Sequence, residues 1–143
     1  MKCHDILLVE DDPDQVTLLQ EAFAEVKVSY ILHVVQDGVD AMKYLLQEGE
    51  YGGTPRPDLI LLDLNLPRKD GWEVLREVKS EDSLRAIPVI VFTSSADQSN
   101  INQCYTLGAN CFITKPAKFE DLVKIADLIE HFWLGAVALP APV

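Results

Sequence analysis

Short apolar runs alternate with stretches of helical period along this chain, the pattern of βα units laid on a parallel sheet. Strands are predicted at residues 5–10, 30–35, 58–63, 88–93 and 111–114. Between them, residues 14–26 carry Val16, Leu19, Phe23 and Val26 at steps of three and four, and residues 39–48 carry Met42, Leu45 and Leu46. Both patterns predict one-sided helices. A third helix over 71–79 turns Trp72, Leu75 and Val78 inward, and a weaker one over 99–107 turns in Ile101, Tyr105 and Leu107. The last helix, 119–133, has an apolar stripe of Leu122, Ile125, Ala126, Ile129, Phe132 and Trp133. A domain this small has few places to hide the last two rings, which point to an exposed interface patch. Residues 49–57, rich in Gly and Pro, read as a surface loop.

Five such units joined by right-handed crossovers make an α/β fold, a flavodoxin-like (βα)5 doubly wound parallel sheet with strand order 2-1-3-4-5. That order turns the carboxyl ends of strands 1, 3, 4 and 5 to one rim. Glu10, Asp11 and Asp12, then Asp63, Thr93 and Lys115, are therefore expected to converge there. In open α/β sheets this rim is where ligands bind.

Length and charge narrow the reading further. The 143 residues fit one compact domain, taken as 1–134, followed by an apolar tail at 135–143. A net charge of −11 repels nucleic acid and anionic membranes, so neither is an expected partner. Cys3, Cys104 and Cys111 have neither even count nor metal spacing, and the longest apolar stretch, 134–139, is too short to cross a bilayer. The amino terminus lacks the pattern of a signal peptide, so the expected location is cytoplasmic. His4, His33 and His131 are scattered without ligand spacing.

The chemistry expected at the rim follows from crowding. Carboxylates 4 Å apart repel by about 4 kcal/mol at an effective dielectric near 20. A hard divalent cation relieves this most directly, and oxygen-only ligands with open positions point to Mg²⁺, with Mn²⁺ as a substitute. Glu10 and Asp11 are the expected metal holders, with the Asn65 backbone carbonyl as a further ligand. Asp63 can then act as a nucleophile toward phosphorus, forming an aspartyl phosphate. Lys115 and the Thr93 hydroxyl, with the cation, meet the charge on the phosphoryl oxygens.

Five segments carry a resemblance to a known family: Val9-Glu10-Asp11-Asp12-Pro13, Leu61-Leu62-Asp63-Leu64-Asn65-Leu66-Pro67, Asp70-Gly71, Phe92-Thr93-Ser94-Ser95 and Phe112-Ile113-Thr114-Lys115-Pro116. In order and separation they are similar to the receiver domain of two-component response regulators, over residues 5 to about 133. The resemblance implies that Asp63 accepts a phosphoryl group from a sensor histidine kinase and belongs to the metal-binding set, that Asp11 is a direct Mg²⁺ ligand and that Glu10 is a ligand through water. It implies that Lys115 pairs with the phosphate, and that Thr93 and Phe112 form a conformational switch. Phe112 stands where the family often has Tyr, and Pro116 is similar to the family's cis-proline.

The loop at 49–57 and the Leu-Pro-Arg-Lys-Asp-Gly-Trp segment look most like stand-alone regulators that partner cyanobacterial and bacterial phytochrome kinases. Such relatives form homodimers through helix 4, strand 5 and helix 5. The protein is then a signalling protein that assists its own phosphorylation and dephosphorylation rather than an enzyme with an external substrate.

Three other readings compete. A Mg²⁺-dependent hydrolase of the haloacid dehalogenase type wants a second Asp two residues after the nucleophile, where this chain has Asn65. A flavin binder wants a Ser-, Thr- and Gly-rich first loop, where this chain has three acids. A phosphorylation-independent binding module does not need the full constellation. Taken singly, Asp12 reads equally well as a helix cap beside Pro13, and Phe112 as an ordinary core aromatic.

Overall fold

A computed structural model of the chain describes residues 3–26, 30–95 and 97–141. Five parallel strands, β1 His4–Val9, β2 Tyr30–Val35, β3 Leu59–Leu62, β4 Val89–Thr93 and β5 Cys111–Thr114, form one sheet in the order β2-β1-β3-β4-β5. The doubly wound arrangement read from the sequence is the arrangement found. The helices are α1 Pro13–Glu25, α2 Gly38–Leu45, α3 Gly71–Ser80, α4 Gln98–Thr106 and α5 Phe119–Leu128.

The central strands show why this architecture suits the sequence. All four residues of β3, Leu59 to Leu62, are buried, as a parallel strand covered by helices on both faces requires. Alternation then divides the core in two. Leu7, Val9, Ile60 and Leu62 pack with Met42, Leu75 and Val78 on one face; Ile6, Leu8, Leu59 and Leu61 pack with Leu19, Phe23, Leu122 and Ala126 on the other. Each such Leu, Ile or Phe contributes about 1.5–3 kcal/mol by leaving water.

Helix starts follow side-chain chemistry. Asp12, Asp37, Asp70 and Asp97 each accept a backbone N–H from the first turn of α1, α2, α3 and α4. Each replaces one of the hydrogen bonds a helix start lacks. Pro13 occupies the first position of α1, where its missing N–H costs nothing.

Three local expectations need correction. The α2 helix ends at Leu45, with Gln47 at φ 57°, so Leu46 is 40% exposed rather than inward. In α4 it is Cys104 that is buried, while Tyr105 is half exposed and its hydroxyl accepts from the Phe112 N–H at 3.0 Å. The small thiol fits where helix and sheet approach, and the ring lies toward the strand that has no neighbour on its far side. At the end of the last stripe Phe132 is 54% exposed, one of the two rings a domain this small has little room to hide, where the helix widens into a π-helical segment, Ile129–Ala136. There Val137 N–H donates to the Phe132 carbonyl at 2.8 Å. That five-residue step brings Ile129 and Leu134 both inward, which an α-helix cannot do. Finally, the bond before Pro116 is trans. The two isomers of such a bond differ by only about 0.5–1 kcal/mol, and Lys115 reaches its partners with the bond trans.

Of the expected tail, Gly135 and Ala136 complete the π-helical segment and Leu139 packs against the core cluster that contains Phe23 and Leu122. Residues 142 and 143 lie outside the described part. Among the described residues no helix is long and apolar enough to cross a membrane.

Candidate functional site

Sheet register decides which side chains meet. Val9 of β1 lies opposite Leu62 of β3, so the next residues, Glu10 and Asp63, leave the sheet side by side. The Asp63 N–H donates to the Val9 carbonyl at 3.1 Å and the Glu10 N–H to the Val35 carbonyl at 3.0 Å, which fixes both backbones at the rim. On the other flank Thr93 pairs with Thr114, and the Lys115 N–H donates to the Thr93 carbonyl at 2.9 Å. Lys115 is thereby aimed at the two acids from β5.

A pocket of about 330 Å³ opens there, lined by Glu10, Asp11, Asp12, Gln15, Asp63, Asn65, Ser94 and Lys115. Ligand oxygens of Glu10, Asp11 and Asp63 lie within 4.8 Å of one another; Glu10 and Asp63 are buried and Asp11 is exposed. Lys115 Nζ donates to Asp63 Oδ2 at 3.0 Å and to Glu10 Oε1. The second Asp63 oxygen, Oδ1, accepts from the Asn65 N–H at 3.2 Å, and Glu10 Oε2 accepts from the Asp12 N–H at 3.3 Å.

These contacts set the charge states. Burial, first, pushes the Glu10 carboxyl above its ordinary 4.5, and the neighbouring Asp63 charge adds to that; Lys115 pulls the other way without cancelling it. For Lys115, burial alone lowers the ammonium's pKa, but the hydrogen bonds and charges of Glu10 and Asp63 outweigh it and hold the proton above the ordinary 10.5. The site is a carboxylate trio partly neutralised by one ammonium. Oxygen-only donors, with one carboxylate open to water, suit a hard divalent cation.

The sequence-predicted residues do not all occupy equal places. Glu10, Asp11, Asp63, Asn65 and Lys115 line one pocket. Thr93 is fully buried just beneath the rim, and its Oγ1 has no hydrogen-bond partner among the described residues. Phe112 is half-buried against the core cluster of Leu7 and Leu62. Gln15, in the first turn of α1, joins the lining without having been singled out, its signal position alone, and Ser94, named only within the Phe92–Ser95 segment, joins it one residue past β4.

The loop after Asp63 approaches its own strand closely. A Cβ on Gly71 would lie 2.2 Å from the Asp63 carbonyl oxygen and 2.6 Å from the Leu64 Cα. Only glycine allows α3 to start there.

Known proteins match this arrangement. The family described as "Response regulator receiver domain" matches residues 6–127. The response regulator Rcp1 of Synechocystis is 47% identical over 136 residues, covering 95% of this chain and 92% of that one. The crystal structure of the phosphorylated cyanobacterial phytochrome response regulator RcpA superimposes with a TM-score of 0.93 at 48% identity, covering 98% of this chain and all of that one. The Mn²⁺-bound form of Rcp1 does so with a TM-score of 0.90 at 46% identity, covering 96% and 99%.

Proposed function

The chain belongs to the response regulator receiver domain family, and from that premise we propose that Asp63 is its phosphoacceptor in a Mg²⁺-dependent phosphorelay. Receiver domains take a phosphoryl group from sensor histidine kinases, and the chain has that phosphoryl-accepting signalling role. The observation that carries the finer assignment is the meeting of three carboxylates within 4.8 Å with an ammonium bonded to two of them.

Asp63 attacks the phosphorus of a phosphohistidine through a carboxylate oxygen. An O–P bond forms, the N–P bond breaks, and the imidazole leaves with the bonding pair and takes a proton. Glu10, Asp11, Asp63 and the Asn65 carbonyl would hold Mg²⁺ or Mn²⁺, which supplies Lewis-acid neutralisation of the phosphoryl oxygens. Lys115, already between Glu10 and Asp63, offers its ammonium to the same charge. A buried hydroxyl without a partner is costly, and a phosphoryl oxygen on Asp63 gives Thr93 Oγ1 an acceptor. Phe112, half-buried, fills the space that Thr93 leaves. The domain so assists its own phosphorylation and dephosphorylation.

The donor we propose is a phytochrome-type histidine kinase, on the strength of the likeness to Rcp1 and RcpA. The chain is read as one receiver domain over 1–134 with an apolar segment at 135–143, cytoplasmic, binding neither nucleic acid nor membrane. Phosphotransfer from a phytochrome kinase autophosphorylated with labelled ATP should move label to this chain within minutes in Mg²⁺ and not in EDTA. Transfer that ignores EDTA would contradict the reading.

A homodimer through α4, β5 and α5 completes the proposal. Tyr105, Phe119 and Phe132 are 41–54% exposed on α4, α5 and the π-helical extension, and large apolar side chains left exposed favour an interface. Sedimentation at micromolar concentration should give a dimer, and Phe132→Glu should shift it to monomer. A wild-type monomer across that range would remove the dimer.

A further inference from the structure

The residues following Asp63 form a loop, Leu64 to Asp70, that brings Asn65 to the pocket. Within it Arg68 sits at φ 65°, a left-handed backbone that few residues with a Cβ adopt. A side-chain contact accompanies it. Arg68 Nη1 donates to Asp37 Oδ2 at 3.0 Å, and the Asp37 side chain is only 10% exposed while that of Arg68 is 55% exposed. Asp37 thus draws a surface guanidinium down onto a nearly buried carboxylate, on the connection between β2 and α2.

Two further contacts hold the same loop. A Cβ on Gly38, the residue after Asp37, would lie 2.0 Å from the Lys69 carbonyl oxygen, so the start of α2 rests directly on the loop's backbone. At the far end the Gly71 N–H donates to the Leu64 carbonyl at 3.0 Å. Lys69 of the loop also donates to the Glu77 carboxylate of α3, so Asp37–Arg68 is the charged attachment that ties the loop to a different βα connection. Asp37 has a second task as well, since its Oδ1 accepts the Asp40 N–H at 2.8 Å and caps α2.

We propose that Asp37 and Arg68 are positioning residues, a clamp that sets the loop so that the Asn65 backbone and the Asp63 carboxylate face the divalent cation together. Neither residue lines the pocket; they act through the peptide chain between residues 63 and 71. The proposal rests on the metal-dependent phosphoacceptor reading and adds to it a determinant on a different βα connection. Groups outside the ligand set that fix ligand orientation are worth 10–100-fold in metal affinity, and a charge-paired arginine over a strained turn is such a group.

Two substitutions separate clamp from cap and from strain. Asp37→Asn keeps an oxygen able to cap α2, because Asn and Asp cap equally well, but removes the charge that holds Arg68. Arg68→Asn removes the guanidinium while Asn tolerates the left-handed backbone. Full-length protein, both variants and the double variant are titrated with MgCl₂ by calorimetry, and amide exchange at Gly71 is followed without metal.

The clamp predicts Mg²⁺ binding about tenfold weaker in each single variant, a double variant no weaker than the singles, and faster exchange at Gly71. Variants that bind Mg²⁺ as the wild type does, or losses that add in the double variant, overturn the clamp and leave the phosphoacceptor reading intact. A wild-type protein that takes up no Mg²⁺ overturns that reading and the clamp with it.

Discussion

Asp63→Asn abolishes labelling by a phosphorylated kinase or by acetyl phosphate. The amide matches the carboxylate in shape, so the side chain still fits beneath the Asn65 N–H, but it carries no nucleophilic oxygen anion. The site also loses one of three crowded negative charges. Two consequences therefore oppose each other in the unlabelled protein: the hydrogen bond from Lys115 to Asp63 loses its ionic partner, and the repulsion of Glu10 and Asp11 is relieved. Stability changes by no more than about 1–2 kcal/mol as a result. Mg²⁺ affinity falls by about tenfold or more, because a ligand is lost where even supporting groups count for 10–100-fold. Urea unfolding and a labelling gel on the same preparation separate these effects. Labelling retained in a folded Asp63→Asn protein would place the acceptor elsewhere.

Lys115→Met has the second large effect, on stability as well as on transfer. The Lys115, Glu10 and Asp63 side chains are 11%, 5% and 7% exposed, so removing the ammonium leaves two buried carboxylates facing each other. Breaking a buried ion pair from one side costs about 3–5 kcal/mol, and metal-free unfolding should show a loss of that order. Mg²⁺ returns part of it, since an ion that binds only the folded state adds about 2.7 kcal/mol at a hundred times its Kd. With no ammonium competing for Glu10 and Asp63 the cation binds the variant more tightly, so Mg²⁺ raises the variant's unfolding midpoint more than the wild type's. The transfer rate falls by about 10²–10³, the usual consequence of removing one charge stabiliser.

The pH dependence has a fixed sign. Folded Lys115 holds its proton above 10.5, the value in the unfolded chain, so its contribution is fully present below pH 10.5 and is lost as pH rises through the folded value. The gap in stability between wild type and variant should be flat from neutrality to pH 10 and narrow beyond. A metal-free variant as stable as the wild type would mean that the ammonium offsets nothing.

What the chain revealed before folding divides along physical lines. The topology was legible because parallel strands buried on both faces are written as unbroken apolar runs, as in Leu59 to Leu62, and because crossover handedness leaves few arrangements. The meeting of Glu10, Asp11, Asp63 and Lys115 was legible for a related reason. Each directly follows a strand, or stands one residue further on, and register carries them to one rim. The preferences that failed were those decided by neighbours in space. Tyr105 and Cys104 both fit the spacing of α4, and only the exposed edge of β5, with the Phe112 N–H to be satisfied, selects between them. The helix expected to run unbroken over 119–133 widens after Leu128, which no period of 3.6 anticipates. The Asp37–Arg68 contact joins positions 31 residues apart on two different connections, and nothing in the periodic pattern singles either out.

The most direct test is to trap the phosphorylated state chemically. Borohydride reduces an acyl phosphate to an alcohol, converting the labelled aspartate to homoserine at its own position, which peptide fragmentation then reads. After incubation with phosphorylated kinase and Mg²⁺, homoserine should appear at position 63 alone and vanish when EDTA is present. Homoserine at position 11 or 12, or phosphate found only on a histidine, would contradict the account.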